Sequence, residues 1–160
     1  MSVLDPLAAC AGTWRGTNTL HDPHTQRPEE SASTATVTPV LGGRFVRLDY
    51  TWGYQGKPQD GSLLVGYDEE ADAITGHWID SWHMGRKAFA CLGPRPADGV
   101  LSLRGSWAPE WGWRIDVTPE ATPAGAAAGS GGSPGLRVVM LNINPDKRED
   151  PAVDALYTRA

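Results

Sequence analysis

The sequence predicts an all-β protein: about ten antiparallel strands closed into an up-and-down barrel, preceded by one short N-terminal helix. Three observations lead there. Nineteen glycines and thirteen prolines among 160 residues supply many turns, and seven tryptophans lie in the runs between them; that mixture favours short strands over helices. Apolar and polar residues alternate, most plainly where Val46, Leu48, Tyr50, Trp52 and Tyr54 share a face opposite Arg47, Asp49 and Thr51, the period of a half-buried strand. A good helix signal occurs once, with Asp5 as N-cap, Pro6 at the first helical position and Gly12 as a stop.

The elements follow in order. Residues 12–20 form a strand, and the turn-rich HDPHTQRPEE returns the chain into 31–41, which Gly42-Gly43 stops. Residues 44–55 come next, then 60–68 and 73–83; in the last, β-branched and aromatic residues together with Gly76 argue against a helix. Runs at 87–93, 99–107 and 111–119 are separated by PRPAD and APE. Residues 119–135 are almost wholly Ala, Gly, Ser, Thr and Pro, too poor in apolar surface to order themselves, and read as a long flexible hairpin loop. Residues 136–144 and 153–160 are the final strands, with the charged NPDKREDP between them as a solvated turn. Too few residues follow the loop for a second core, so 1–160 is a single domain. A flat meander of this length would expose two edges; closure removes both, and barrels of this size can hold one small ligand.

Charge and composition exclude several classes of partner. A net charge of −5, with no aromatics interleaved among Lys and Arg, argues against nucleic acid. No apolar run approaches the roughly 20 residues a membrane span needs, and the N-terminus lacks the pattern of a signal peptide; a cytoplasmic location is expected. Cys10 and Cys91 are the only cysteines and are read as thiols, since no disulfide framework or Cys/His metal spacing is present.

The segment GHWIDSWHMG (76–85) places His77, Asp80 and His83 three apart. On a helix the three would converge on a metal. On a strand His77 and His83 lie about 20 Å apart and Asp80 faces the other way, so no metal site is expected here. If Ile74, Trp78 and Trp82 face inward, Asp80 goes with them into aromatic surroundings that raise its pKa unless an Arg or Tyr partners it. The opposite register, with His77, Ile79 and Ser81 inward, stays open because both faces carry apolar residues. The candidate interior ligand-binding residues are therefore Leu48, Tyr50, Trp52, Trp78, Asp80, Trp82, Trp111 and Trp113, joined by Val46, Tyr54 and Trp107. Such a lining suits a small, partly apolar ligand, unless the rings simply fill the barrel.

The segments AGTWRGTNTL, TVTPVLGGRFVRLDY, GSLLVGYDEEADAITGHWIDS and the closing LYTRA resemble, over nearly the whole chain, the bacterial domain of unknown function family 1579. The Gly-x-Trp opening also resembles that of the calycin barrels: lipocalins, fatty-acid-binding proteins and nitrobindin-like proteins. The resemblance implies a lipocalin-like barrel whose base is closed by Trp14, with Arg159 packed across its ring as a structural cation–π pair. Nitrobindin-like relatives bind haem through a histidine in the C-terminal part of the barrel. This chain has no histidine after His83, leaving only His77 or His83 as substitutes, and no cofactor is expected.

The leading functional expectation is a non-enzymatic carrier or sensor of a small molecule, with no catalytic residues. One alternative is an enzyme using Asp80 as general acid or base beside Tyr50 or Tyr67. Another is a structural or dimerisation module in which exposed tryptophans make a homodimer contact. Ser81 has no GxSxG elbow around it and is not read as a nucleophile.

Overall fold

The computed structural model describes residues 1–121 and 135–160, without the side chains of Glu120 and Ala121. The loop expected at 119–135 therefore lies almost wholly outside the described residues. Ten strands are present: β1 (Gly12–His21), β2 (Pro28–Val40), β3 (Phe45–Tyr54), β4 (Lys57–Asp68), β5 (Ala73–Asp80), β6 (Phe89–Pro94), β7 (Leu101–Ala108), β8 (Trp111–Ala121), β9 (Gly135–Ile143) and β10 (Glu149–Arg159). Each pairs antiparallel with its neighbours in the chain, and β1 pairs with β10 to close the barrel. Closure gives every strand a neighbour on both sides, the arrangement that removes free sheet edges.

Alternation decides which side chains fill the interior. On β3, Val46, Leu48, Tyr50 and Trp52 are buried, while Arg47 and Thr51 are exposed. On β5, Ile74, Gly76, Trp78 and Asp80 face inward, and Ile79 is 53% exposed. That resolves the register the sequence leaves open, in favour of an inward Asp80. The middle and base of the barrel are packed solid by Val46, Leu48, Leu63, Val65, Ile74, Leu103 and Ile115, all at most 1% exposed.

Helix α1 (Asp5–Ala8) plugs the base, burying Leu4 and Leu7. Asp5 is not its N-cap. Leu4 occupies that position, and the Asp5 carboxylate instead accepts the Ser2 amide at 2.7 Å, because Pro6 falls one residue deeper in the first turn than expected. The Trp14 indole donates to the Cys10 carbonyl at 2.8 Å. Arg159 lies over that indole, its guanidinium carbon 4.4 Å from the ring centroid, and donates to the carbonyls of Ala11 (2.6 Å) and Ala9 (3.1 Å). One arginine on the last strand thus satisfies carbonyls that the end of the first helix leaves without partners.

Strand β5 ends at Asp80, three residues before the expected limit at 83. Asp80 Oδ1 accepts the amides of Trp82 (2.9 Å) and His83 (2.8 Å), and its carbonyl accepts the amide of Met84 (3.1 Å). A short carboxylate capturing its own downstream amides competes with the ladder and turns the chain. His83 consequently folds back over Asp80 rather than standing about 20 Å from His77.

The closing seam depends on a small residue. Gly16 pairs with Tyr157 across β1 and β10, and a Cβ there would lie 1.9 Å from the Leu156 carbonyl oxygen. Gly16→Ala is expected to destabilise the fold by at least about 2 kcal/mol through overpacking against backbone. Gly42→Ala, at φ +69° with nothing within 4 Å, is expected to cost about 1 kcal/mol. Urea unfolding followed by tryptophan emission checks the order of the two.

Candidate functional site

The mouth opposite the helix holds a cavity of about 760 Å³. It is bounded by the β1–β2 turn, the β5–β6 turn, and the adjoining ends of β7 to β10. Trp78, Trp82, Met84, Phe89, Trp107 and Trp113 provide its apolar wall, and His21, Asp22, Gln26, Arg27, Lys87 and Asp150 reach its rim. Asp22 and Asp150 are already engaged: Asp22 accepts from the Tyr54 hydroxyl (2.8 Å) and the His24 amide (2.8 Å), and Asp150 from Arg148 (2.9 Å) and Asn144.

Asp80 organises a buried network behind the cavity wall. Oδ2 accepts from the Tyr50 hydroxyl at 2.7 Å and the Trp52 indole at 3.3 Å, while Oδ1 takes the two amides and faces His83 Nδ1 at 3.1 Å. Tyr50 in turn accepts the Trp78 indole N–H at 2.8 Å. The register explains the meeting. Tyr50 on β3 pairs with Gly61 on β4, and Gly61 pairs with Asp80 on β5. Glycine lets the phenol pass over the intervening strand, since a Cβ on Gly61 would lie 2.3 Å from the Tyr50 oxygen.

Burial pushes the Asp80 carboxyl upward, yet the hydrogen bond and charge of His83, the amides and the Tyr50 hydroxyl outweigh it and hold the group below the ordinary carboxylate range. Tyr50 moves the other way. Burial and the Asp80 anion raise its pKa well above the usual phenol value. The proton therefore stays on Tyr50 and the charge on Asp80, with hydrogen bonds running from Trp78 to Tyr50 to Asp80.

His83 sits in an aromatic cage. Its ring centroid lies 4.8 Å from Trp82, 5.4 Å from Trp113, 5.5 Å from Trp52 and 5.7 Å from Trp78. Trp78 and Trp113 stack at 5.5 Å and 11°. Its Nδ1 is directed at Asp80 Oδ1, while its Nε2 makes no hydrogen bond to a described residue.

Of the expected lining, Trp78, Trp82 and Trp113 line the mouth cavity, whereas Tyr50, Trp52 and Asp80 form a buried network behind it and do not line it. Leu48 lies deeper, inside the packed core. Trp111 does not reach the cavity; a bulge at Ser106/Ala108 shifts the strand pairing there, and Trp111 packs half-buried beside Trp107 at 5.4 Å. Trp107 is 51% exposed at the rim, its indole bonded to the Gly112 carbonyl and Asn142. Tyr67 is remote from Asp80: it pairs with Ile74, six residues back along β5, and its hydroxyl bonds to Asp72. His83, Met84 and Phe89 are the wall residues the sequence reading misses as cavity lining. His77 is exposed on the outer face, so it cannot join Asp80 and His83 around one ion.

Haem does not fit this site. A coordinating imidazole needs an open plane around its nitrogen for the macrocycle, whereas four indoles pack around His83 and its side chain is only 10% exposed.

Fold and site together define a closed ten-stranded β-barrel with an aromatic cavity at one mouth. The chain belongs to the family described as Protein of unknown function (DUF1579), whose sequence model matches residues 5–110. Among solved structures it is similar to the crystal structure of Rv2717c from M. tuberculosis, with a TM-score of 0.61 and 13% identity, covering 100% of this chain and 98% of that one. At that identity the likeness is one of fold. No curated protein matches the chain in sequence. Among the described residues no helix is long and apolar enough to cross a membrane.

Asp80→Asn is expected to cost about 2–4 kcal/mol, because donors now aimed at a carboxylate lose charge or meet another donor. The pH dependence follows from the direction of its shift. A carboxyl whose folded pKa lies below its unfolded value of about 3.9 contributes fully at higher pH and loses that contribution as pH falls through the folded value. Urea midpoints from pH 5 downward are expected to fall more steeply for the native chain than for Asp80→Asn.

Proposed function

We propose that the protein is a non-catalytic carrier or sensor that seats one small, partly apolar molecule in the mouth cavity. The observation that carries this reading is the 760 Å³ cavity walled by Trp78, Trp82, Met84, Phe89 and Trp113, in the size and polarity range of small-molecule sites. The arrangement of Gly12, Trp14 and Arg159 at the base also agrees with the lipocalin-like calycin barrels that the opening motif resembles. The acid–base alternative has little to work with at Asp80, which is 1% exposed in its side chain and has its lone pairs engaged by five donors. A reducing, cytoplasmic setting suits the buried Cys91 thiol, which burial pushes up to about 12 and so keeps unreactive.

Titration with N-phenyl-1-naphthylamine, a neutral apolar fluorophore, tests the reading. Saturable binding of one molecule per chain with quenching of tryptophan emission is expected. Trp113→Ala should weaken it about tenfold, the equivalent of about 1.4 kcal/mol. Leu41→Ala, at the 74% exposed Leu41 of the β2–β3 turn, should leave it unchanged. Non-saturating uptake, or equal affinity in the Trp113 variant, would sink the proposal.

A further inference from the structure

Resting on that reading of the cavity, we infer that its ligand is an organic anion, with an apolar body against the indoles and one acidic group held at the rim by Arg27 and Lys87.

The two cations border one opening. Arg27 belongs to the β1–β2 turn and Lys87 to the β5–β6 turn, and both residues line the cavity. The two turns meet there, since the His24 ring of the first packs edge-on against Trp82 of the second at 6.3 Å. Both cations are exposed. Their backbone amides bond to Thr25 Oγ1 at 3.4 Å and to the Met84 carbonyl at 3.1 Å, and neither side chain has an ion pair or hydrogen bond among the described residues.

The acidic residues of the same rim are already engaged. Asp22 is 1% exposed, and its carboxylate accepts from the Tyr54 hydroxyl and the His24 amide at 2.8 Å each. Asp150 shares its charge with Arg148 at 2.9 Å and accepts from Asn144. A molecule arriving at the mouth therefore meets two unpaired cations beside two occupied carboxylates. That local sign runs against the net charge of −5 of the whole chain. Screening over about 8–10 Å at ordinary salt makes the near charges count for more than the distant ones.

Ligand classes separate on charge. A neutral apolar molecule gains contact with Trp78, Trp82 and Phe89 and leaves both cations in water. A cation is attracted to indole faces, but it approaches Arg27 and Lys87 with like charge. An organic anion keeps the ring contact and adds charge-assisted bonds at the rim, where guanidinium and ammonium groups both suit an oxyanion.

The test compares 2-naphthoate with 2-naphthylmethylammonium, the same ring system carrying opposite charge, by displacement of N-phenyl-1-naphthylamine at about pH 7. The native chain is expected to bind the anion at least about tenfold more tightly than the cation at low salt. Raising NaCl from about 10 mM to about 1 M shortens the screening length from about 30 Å to about 3 Å and should bring that ratio towards one. The double variant Arg27→Gln/Lys87→Gln should do the same at low salt. Arg44→Gln, an equal loss of charge between β2 and β3, away from the cavity lining, should leave the ratio as it is. Equal binding of the two probes, or tighter binding of the cation, overturns the anion assignment while leaving the apolar cavity standing. A ratio that survives both high salt and the double variant overturns the role of Arg27 and Lys87. Failure of every probe, including the fluorophore, overturns the cavity reading and this assignment with it.

Discussion

The mouth of the barrel depends on one buried carboxylate. Asp80 ends β5, and the same oxygen atoms that stop the strand also gather the residues of a buried network. Oδ1 turns the chain by accepting the Trp82 and His83 amides, and Oδ2 draws in Tyr50 and Trp52 from β3. A lone anion in this position would be untenable in surroundings of low polarity. Spread over five donors it becomes a rigid centre, and two of the indoles that wall the cavity take their positions from it, Trp82 directly and Trp78 through Tyr50. Because its oxygens are taken up by these donors, Asp80 holds the surrounding side chains in place.

At the other end the constraint is closure rather than charge. The first and last strands must approach closely enough for the ladder to complete, and Gly16 leaves room for the backbone of Leu156 where any side chain would collide. Arg159 then ties the end of the chain to the start, covering Trp14 and bonding to Ala9 and Ala11. Its net worth is modest as a cation–π contact alone, about 0.5–2 kcal/mol. The hydrogen bonds matter more to the architecture, since they satisfy helix carbonyls that would otherwise be stranded at the base. A plugged, solid base leaves the mouth as the place where side chains withdraw from one another.

The strand count and the closed meander were legible because alternation and turn chemistry agree along most of the chain. Val46 to Tyr54 is the clearest case: period-2 patterning and aromatic content give the same answer. The end of β5 was not legible. Ile79, Ser81 and His83 continue a plausible strand pattern, and only the side chain of Asp80, bonding to amides two and three residues ahead, overrides it. The register of that strand was ambiguous for a different reason: Ile79, an apolar residue, is on the solvent face. Gly61 shows the limit most sharply. In sequence it is one glycine among nineteen, yet its missing side chain is what allows Tyr50 to reach Asp80 across β4, a relation that exists only once three strands are in register. Aspartate, glycine and an aromatic facing inward at one level of a barrel are a signal, but one readable only after the pairing is known.

This arrangement separates the tasks of the mouth. The Asp80 charge is buried behind the cavity and already satisfied, so the wall presents indole, phenyl and thioether surfaces, with the charged side chains of Asp22, Arg27, Lys87 and Asp150 at its rim. Apolar contact of that kind is permissive about shape and offers little discrimination by itself. The rings of the wall are held from behind, His83 through its contact with Asp80 and Trp113 through its stack on Trp78. The buried carboxylate therefore shapes the cavity wall indirectly. By holding His83 at Nδ1 and anchoring Trp78 through Tyr50, it sets the positions of two of the rings that line the cavity.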